Sequence, residues 1–114
     1  MRTTLEDARR ELEAAGYEVS GHPWAPDALR VSPATDVRSL PGFEAGHLSV
    51  QDPAAQLAVD LLGARPGDRV LDACAAPGGK TCHLLERAGG ALDLTALDVA
   101  EPRLERVREN LRRL

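Results

Sequence analysis

Apolar residues recur at helical spacing in three segments of this 114-residue chain. The segments are 4–15, 53–63 and 101–114, and the spacing predicts an amphipathic helix in each. Thr4 is a suitable N-cap for the first helix, and Gly16 a suitable stop. The predicted buried stripes are Leu5, Ala8, Leu12 and Ala15 in the first, Leu57, Val59, Leu61 and Leu62 in the second, and Leu104, Val107, Leu111 and Leu114 in the third.

Two short apolar runs predict strands of a parallel sheet. Val70–Ala73 follows a turn-forming segment, and Leu92–Leu97 comes about twenty residues later. Between them, a helix is predicted to begin around Cys82 and to stop near Gly89. Both strands are apolar nearly throughout, as expected of strands that are covered on both faces. The order strand, helix, strand and helix predicts an α/β domain.

The region before residue 43 has weaker patterns. A short strand is predicted at Tyr17–Val19, a loop at Gly21–Asp27 and a second strand at Ala28–Val31. The segment Ser32–Gly42 is rich in turn-forming residues and is interpreted as a linker.

The corner after the first apolar strand is the strongest chemical signal in the chain. Strand, glycine turn and helix together bring backbone N–H groups and a positive helix end to a ligand. Small residues at Ala75, Ala76 and Gly78 would let that ligand approach the backbone. A tight turn in any α/β protein is the alternative. The predicted ligand-binding residues of the turn are Cys74, Ala75, Ala76, Pro77, Gly78, Gly79 and Lys80.

An acidic residue ends the second apolar strand. Asp98 lies 19 residues past Gly79, where nucleotide-binding folds place the carboxylate that accepts from both ribose hydroxyls. The G-x-G-x-x-G pyrophosphate fingerprint is absent from the sequence, so a dinucleotide is not the expected ligand. A ribose-bearing cofactor without phosphates fits better, and S-adenosylmethionine is the obvious one.

A phosphate-binding loop is the competing interpretation of the same corner. Gly79-Lys80-Thr81 matches the end of the Walker A motif, but Cys74 stands where that motif has its first glycine. A cysteine there removes the backbone freedom with which the loop wraps phosphates. Lys80 is then interpreted as an exposed residue at a helix start.

The charge balance argues against an autonomous nucleic-acid-binding domain. Acidic residues outnumber basic ones 18 to 14, and there are only three aromatic residues for base stacking. Five arginines of the last helix are interpreted as a solvated charged face rather than a phosphate-binding patch. They are Arg103, Arg106, Arg108, Arg112 and Arg113.

Other functional classes find little support. The sequence has no apolar run long enough to span a membrane and no signal peptide, so a cytoplasmic location is expected. Cys74 and Cys82 predict neither a disulfide framework nor a zinc site, the three histidines show no ligand spacing, and no metal is expected. Cys74, in the tight turn, is predicted to have a packing role.

The run Asp72–Thr81 (DACAAPGGKT) resembles the cofactor signature of the NOL/NOP/Sun family of RNA cytosine-5 methyltransferases. Leu40–Gly46, Ser49–Asp52 and Ala55-Gln56 are similar to the run before that signature in the bacterial Sun (RsmB-type) branch, which methylates a cytosine of 16S ribosomal RNA. Asp98–Leu104 resembles the second cofactor segment, with Ala100 and Pro102 as departures.

The resemblance implies the beginning of a Rossmann-like class I S-adenosylmethionine-dependent methyltransferase domain (β-α-β-α), preceded by part of a small α/β subdomain. Residues 1–42 would be the end of that subdomain and a linker, and residues 43–114 the first part of the cofactor domain. It also implies that Asp98 and Arg103 lie at the cofactor and that the full-length enzyme acts on 16S ribosomal RNA.

The family's reaction uses two cysteines, in Pro-Cys-Ser-like and Thr-Cys-Ser-like segments, and this sequence has neither. The chain is therefore expected to be a fragment that is inactive alone, binds RNA weakly and folds marginally, and no catalytic residue is assigned. A non-catalytic nucleotide-binding or interaction module remains the alternative function.

Overall fold

The computed structural model describes residues 3–114, which divide into two compact units. One unit extends to Pro53, and the other is Ala54–Arg113. The domain boundary expected at residues 42 and 43 remains a prediction. In chain order the elements are α1 (Leu5–Ala14), β1 (Glu18–His22), β2 (Ala25–Ser32), a short 3-10 helix (Val37–Ser39), α2 (Pro53–Leu62), β3 (Arg69–Asp72), α3 (Gly79–Arg87), β4 (Asp93–Ala96) and α4 (Glu101–Arg113).

In the first unit, α1 packs against an antiparallel hairpin made of β1 and β2. The predicted N-cap is confirmed, since the Thr4 hydroxyl accepts a hydrogen bond from the Asp7 backbone N–H at 3.1 Å. The Thr4 hydroxyl also donates to the Asp7 carboxylate, which lowers the pKa of Asp7. The core of the unit consists of Ala8, Leu12, Ala25 and Ala28.

The loop predicted at Gly21–Asp27 is wrong. β1 continues to His22 and β2 already begins at Ala25, with a bulge between Gly21 and His22. Only Pro23 and Trp24 lie between the two strands, because a tight hairpin turn needs only two residues, and Gly21 and Pro26 belong to β1 and β2. Sequence composition alone does not distinguish such a turn from a longer loop.

The second unit contains the predicted β-α-β-α order. β3 and β4 are adjacent and parallel, with Leu71 opposite Thr95, and α3 connects them. α3 also contacts α4, which follows β4. The buried apolar residues of this unit are Val59, Ala75, Cys82, Leu84, Ala88 and Val107.

One face of this two-stranded sheet is exposed. Leu71 and Leu97 are 60% and 51% accessible, although both strands were expected to be covered on both faces. Helix α2 shows the same effect, because Val59 is buried but Leu61 is 84% accessible and Leu62 is also exposed. The apolar pattern marks residues suited to burial, and the described residues cover only some of them. Within this part of the chain no helix is long and apolar enough to cross a membrane.

Candidate cofactor-binding site

The carboxyl ends of β3 and β4 remain joined beyond the last paired strand residues. The Leu97 N–H donates to the Asp72 carbonyl at 2.8 Å, and the Ala75 N–H donates to the Leu97 carbonyl at 3.0 Å. These bonds continue the parallel ladder into the turn, which we call the cofactor loop (residues 74–80). The first half of the loop is therefore fixed to the end of β4.

Asp72 fastens the base of the cofactor loop to helix α3. Its carboxylate, in a residue only 8% accessible, accepts from the Thr81 hydroxyl at 2.7 Å and from the Cys74 N–H at 3.3 Å. Thr81 is 1% accessible. A buried carboxylate needs such partners, because desolvation otherwise disfavours its charge. The sequence analysis did not predict the pairing of Asp72 with Thr81. Its only signal in the sequence is an acidic residue at the end of an apolar strand, followed by a threonine in the next helix.

Asp98 fastens the middle of the loop to the end of β4. One carboxylate oxygen accepts from the Ala76 N–H at 3.0 Å. The other accepts from the Val99 N–H at 2.8 Å and lies 3.0 Å from Nε of Arg103. The Asp98 side chain is 2% accessible and that of Arg103 is 50% accessible. The structure thus brings Asp98 and Arg103 together with the loop; their role toward a ribose remains a prediction.

Gly78 occupies the N-cap position of α3 with φ of +105°, in the left-handed region that favours glycine. A Cβ at Gly78 would lie 3.2 Å from the Cα and 3.3 Å from Cγ1 of Val107 in α4. Sequence reasoning gave the approach of a ligand as the reason for a small residue here. The structure supplies a different reason, which is the close packing of α4 against the turn.

Helix α3 begins without a side-chain cap, since Gly78 has no side chain to offer. The first backbone hydrogen bond of the helix runs from the Cys82 N–H to the Gly78 carbonyl at 2.9 Å. The N–H groups of Gly79, Lys80 and Thr81 therefore precede the helical ladder and lie at the positive end of the helix. Lys80 is exposed, as predicted.

Asn110 of α4 completes the contacts of the loop. Its Nδ2 donates to the Pro77 carbonyl at 2.8 Å. Asn110 lies three residues after Val107, just under one helical turn, so both residues lie on the side of α4 nearest the loop. The sequence analysis did not identify Asn110, because an isolated polar residue on an arginine-rich helix carries no distinct signal.

The two cysteines differ in environment. Cys74 is exposed, so the packing role predicted for it is wrong, whereas Cys82 is 3% accessible. Burial, with a contribution from Glu86, raises the pKa of the Cys82 thiol to about 11. A buried protonated thiol is a poor nucleophile, so Cys82 is a structural residue of α3.

Arginines of α4 pair with acids of the same helix. Arg108 contacts Glu101 and Glu105, and Arg112 contacts Glu105. These hydrogen bonds lower the pKa of Glu105 and raise that of Arg108. Such pairing favours the solvated-face interpretation of this helix over a phosphate-binding patch.

Comparison with known proteins places the site in a family context. Residues 59–114 match the family model described as 16S rRNA methyltransferase RsmB/F. "Ribosomal RNA small subunit methyltransferase B" of Pseudomonas putida is 55% identical over 103 residues, which is 90% of this chain and 24% of that protein. The protein of the same name from Vibrio cholerae is 52% identical with the same coverage. The chain thus spans about a quarter of the length of these curated relatives.

Solved structures are similar as well. The match to the crystal structure of PH0851 covers 98% of this chain and 25% of the PH0851 chain, with a TM-score of 0.93 and 32% sequence identity. The match to NSun6 from Pyrococcus horikoshii, solved with SFG, covers 76% of this chain and 24% of the NSun6 chain, with a TM-score of 0.68 and 30% sequence identity. These matches confirm the resemblance drawn from the signature residues and the predicted fold class, a partial Rossmann-like methyltransferase domain.

Proposed function

The chain is homologous to a segment of the RsmB/F methyltransferases, and from that premise we propose that it binds S-adenosylmethionine as part of a ribosomal RNA (cytosine-C5)-methyltransferase. One observation carries the proposal. The cofactor loop, the Asp98 carboxylate and the uncapped start of α3 meet at the carboxyl ends of two parallel strands. That edge is where open α/β sheets bind their ligands.

The start of α3 suits the methionine part of the cofactor. Its first-turn N–H groups, at Gly79, Lys80 and Thr81, lie at a positive helix end that lacks a side-chain cap. A carboxylate is stabilised at such a position by direct hydrogen bonds and by the helix dipole. We therefore assign the backbone from Cys74 to Lys80 to the methionine part. SFG, which NSun6 was solved with, is an analogue of S-adenosylmethionine.

The ribose is assigned to Asp98. A carboxylate has about four acceptor sites, and three donors already use the carboxylate of Asp98: Ala76, Val99 and Arg103. To receive two vicinal hydroxyls, Asp98 must give up one of these partners. Arg103 is the candidate, because its side chain is half exposed whereas the other two donors are backbone groups. In this proposal Arg103 orients Asp98 and shifts when the ribose binds.

The cofactor supplies an electrophilic methyl group when bound. The residues of this chain bind and orient it, and none is assigned to the chemical step, because the family's Pro-Cys-Ser and Thr-Cys-Ser segments do not occur in the sequence. The proposed substrate of the whole enzyme is a cytosine of 16S ribosomal RNA, as the names of the curated relatives suggest. Such a substrate would place the reaction in the cytoplasm. The chain alone is proposed to be inactive in methyl transfer.

Calorimetry with S-adenosylhomocysteine and its 2′-deoxy analogue tests the assignment. We expect Asp98→Ala to weaken binding of the ribose form by about 1–3 kcal/mol, the range for hydrogen bonds to a charged group. The preference for the ribose form over the 2′-deoxy form should vanish with it. Asp93→Ala is the matched control, because Asp93 lies at the opposite end of β4 from Asp98, is exposed and contacts Arg69. Unchanged affinity and unchanged ribose preference in Asp98→Ala would remove Asp98 from the site.

A further inference from the structure

We propose that Asn110 is a positioning residue for the cofactor loop, which it orients by holding the Pro77 carbonyl. The residue lies 33 positions from Pro77, so the contact joins α4 to a turn that precedes it by two elements. The consequence for cofactor affinity rests on the proposed function, whereas the consequence for the loop itself does not.

The peptide unit between Pro77 and Gly78 is held at both of its polar groups. Its carbonyl accepts from Asn110 Nδ2 at 2.8 Å, and its N–H donates to the Ala75 carbonyl at 2.6 Å. Because a peptide unit is planar and rigid, two anchors on opposite sides fix its orientation. One anchor belongs to the loop itself, and the other comes only from α4.

This peptide needs an external anchor because Gly78 follows it. Glycine rotates about its backbone bonds more freely than any other residue, and Gly78 has φ of +105°. The close approach of Val107 fixes where Gly78 lies, since a Cβ there would be only 3.2 Å from the Val107 Cα. Packing against a residue without a side chain does not fix how the neighbouring peptide is rotated. Asn110 supplies that second constraint.

The orientation passes directly to the start of α3. The Gly78 carbonyl accepts the first helical hydrogen bond, from the Cys82 N–H at 2.9 Å. Rotation of the preceding peptide would therefore tilt the first-turn N–H groups that we assign to the cofactor. A 1 Å displacement of such groups is sufficient to weaken a designed or natural site markedly.

The Asn110 amide has only one orientation that satisfies its neighbours. Its Oδ1 accepts from Nη2 of Arg113 at 3.2 Å, and a guanidinium can only donate. The NH₂ group must then face Pro77, whose carbonyl can only accept. Arg113 therefore selects the amide orientation that the loop requires.

One substitution removes the hydrogen bond from Asn110 to Pro77 without changing the volume of the side chain. Asn110→Asp preserves side-chain shape and the acceptor for Arg113, but it replaces the donor toward Pro77 with a second acceptor. Glu109→Ala is the matched control, because Glu109 is the adjacent exposed residue of the same helix. Each variant of the whole chain is measured for amide hydrogen exchange, thermal unfolding and S-adenosylmethionine affinity.

We expect Asn110→Asp to raise exchange about tenfold at the amides of residues 78–82, while Val70 and Thr95, whose N–H groups face the partner strand, keep their protection. Affinity for S-adenosylmethionine should fall about tenfold, and Glu109→Ala should leave both quantities within about twofold. Exchange and affinity unchanged in Asn110→Asp would overturn the proposal. A uniform rise in exchange across the second unit, with a matching fall in Tm, would also overturn it, because it would show a general structural role.

The two proposals can fail separately. If the unmodified chain does not bind S-adenosylmethionine, the proposed function of this chain fails, and the local exchange at residues 78–82 still decides the role of Asn110. If the chain binds and Asn110→Asp behaves like Glu109→Ala, only the positioning role fails.

Discussion

The carboxyl edge of the parallel sheet and its exposed face differ sharply. At the edge, the carboxylates of Asp72, a residue only 8% accessible, and of Asp98, whose side chain is 2% accessible, accept hydrogen bonds from backbone and side-chain donors. On the face, Leu71 and Leu97 are 60% and 51% accessible, and Thr95 beside them is also exposed. The polar groups at the edge have hydrogen-bond partners, whereas apolar side chains on the exposed face remain in water.

The contacts that shape the cofactor loop are therefore different from those that stabilise the second unit. The shape of the cofactor loop depends on a few directional contacts made within the second unit. Stability depends mainly on apolar area removed from water, about 25 cal/mol per Å². Leucines that remain largely accessible contribute little of this term, so we expect a well-shaped loop on a marginally stable unit.

The largest expected effect comes from breaking the close contact at the edge. Gly78→Ala should destabilise the chain by about 2–4 kcal/mol and abolish measurable cofactor binding, because it combines an unfavourable positive φ with a backbone clash at Val107. Gly89→Ala is the matched control, since Gly89 also has positive φ but no atom within 4 Å of the added Cβ. It should cost about 1 kcal/mol. Equal costs in chemical denaturation would refute the packing explanation for Gly78.

Thr81→Val and Thr95→Val compare the edge with the face through the same substitution. Thr81→Val leaves the buried Asp72 carboxylate without its shortest hydrogen bond, and we expect a loss of about 1–3 kcal/mol in unfolding free energy. Thr95 is exposed in β4, where valine is well tolerated, so Thr95→Val should stay within about 0.5 kcal/mol. Urea denaturation of both variants measures the difference. A smaller loss at Thr81 than at Thr95 would contradict the role of the Asp72–Thr81 pair.

The smallest effect concerns the two thiols. At pH 8 we expect Cys74 to react with a thiol reagent in the folded chain and Cys82 to be protected until unfolding, because Cys82 is buried and its pKa is raised to about 11. The ordinary pKa of a cysteine thiol is 9.0, so the folded state favours the protonated form of Cys82. This contribution is present below pH 9 and is lost between pH 9 and about 11, as the unfolded thiol ionises first.

Reagent titration followed by peptide mass analysis assigns the reactive residue. Cys82→Ala should remove the part of the stability loss between pH 9 and about 11 that arises from ionisation of this thiol. Rapid labelling of Cys82 in the folded chain would contradict its burial.

Sequence reasoning predicted the features that arise from local patterns. The helix at Leu5–Ala14, the parallel βαβ unit and the meeting of Asp98 with the loop all follow from periodicity or from the fixed geometry of parallel strands. The contacts of Asn110 and Val107 with the loop did not follow. They depend on how α4 lies against α3, and packing of one helix on another is set by side-chain surfaces that one-dimensional spacing does not describe.

Burial was predicted less well than secondary structure. Leu61 and Leu62 carry the apolar pattern of a covered helix face, yet both are exposed in α2. Periodicity shows which residues are suited to a core, but only neighbouring elements determine whether they are covered. The tight turn at His22–Ala25 was missed for a related reason, because turn-forming residues mark a reversal without giving its length.

Titration of the isotope-labelled chain with S-adenosylmethionine, followed by NMR at each backbone amide, shows which residues the cofactor contacts. We expect saturable shifts that are largest at Ala76, Gly79 and Lys80 in the loop and at Val99 beside Asp98. The amides of Leu71 and Thr95 should move little. Larger shifts at the exposed face than at the edge, or no saturable shifts at either, would contradict the assignment of the cofactor site.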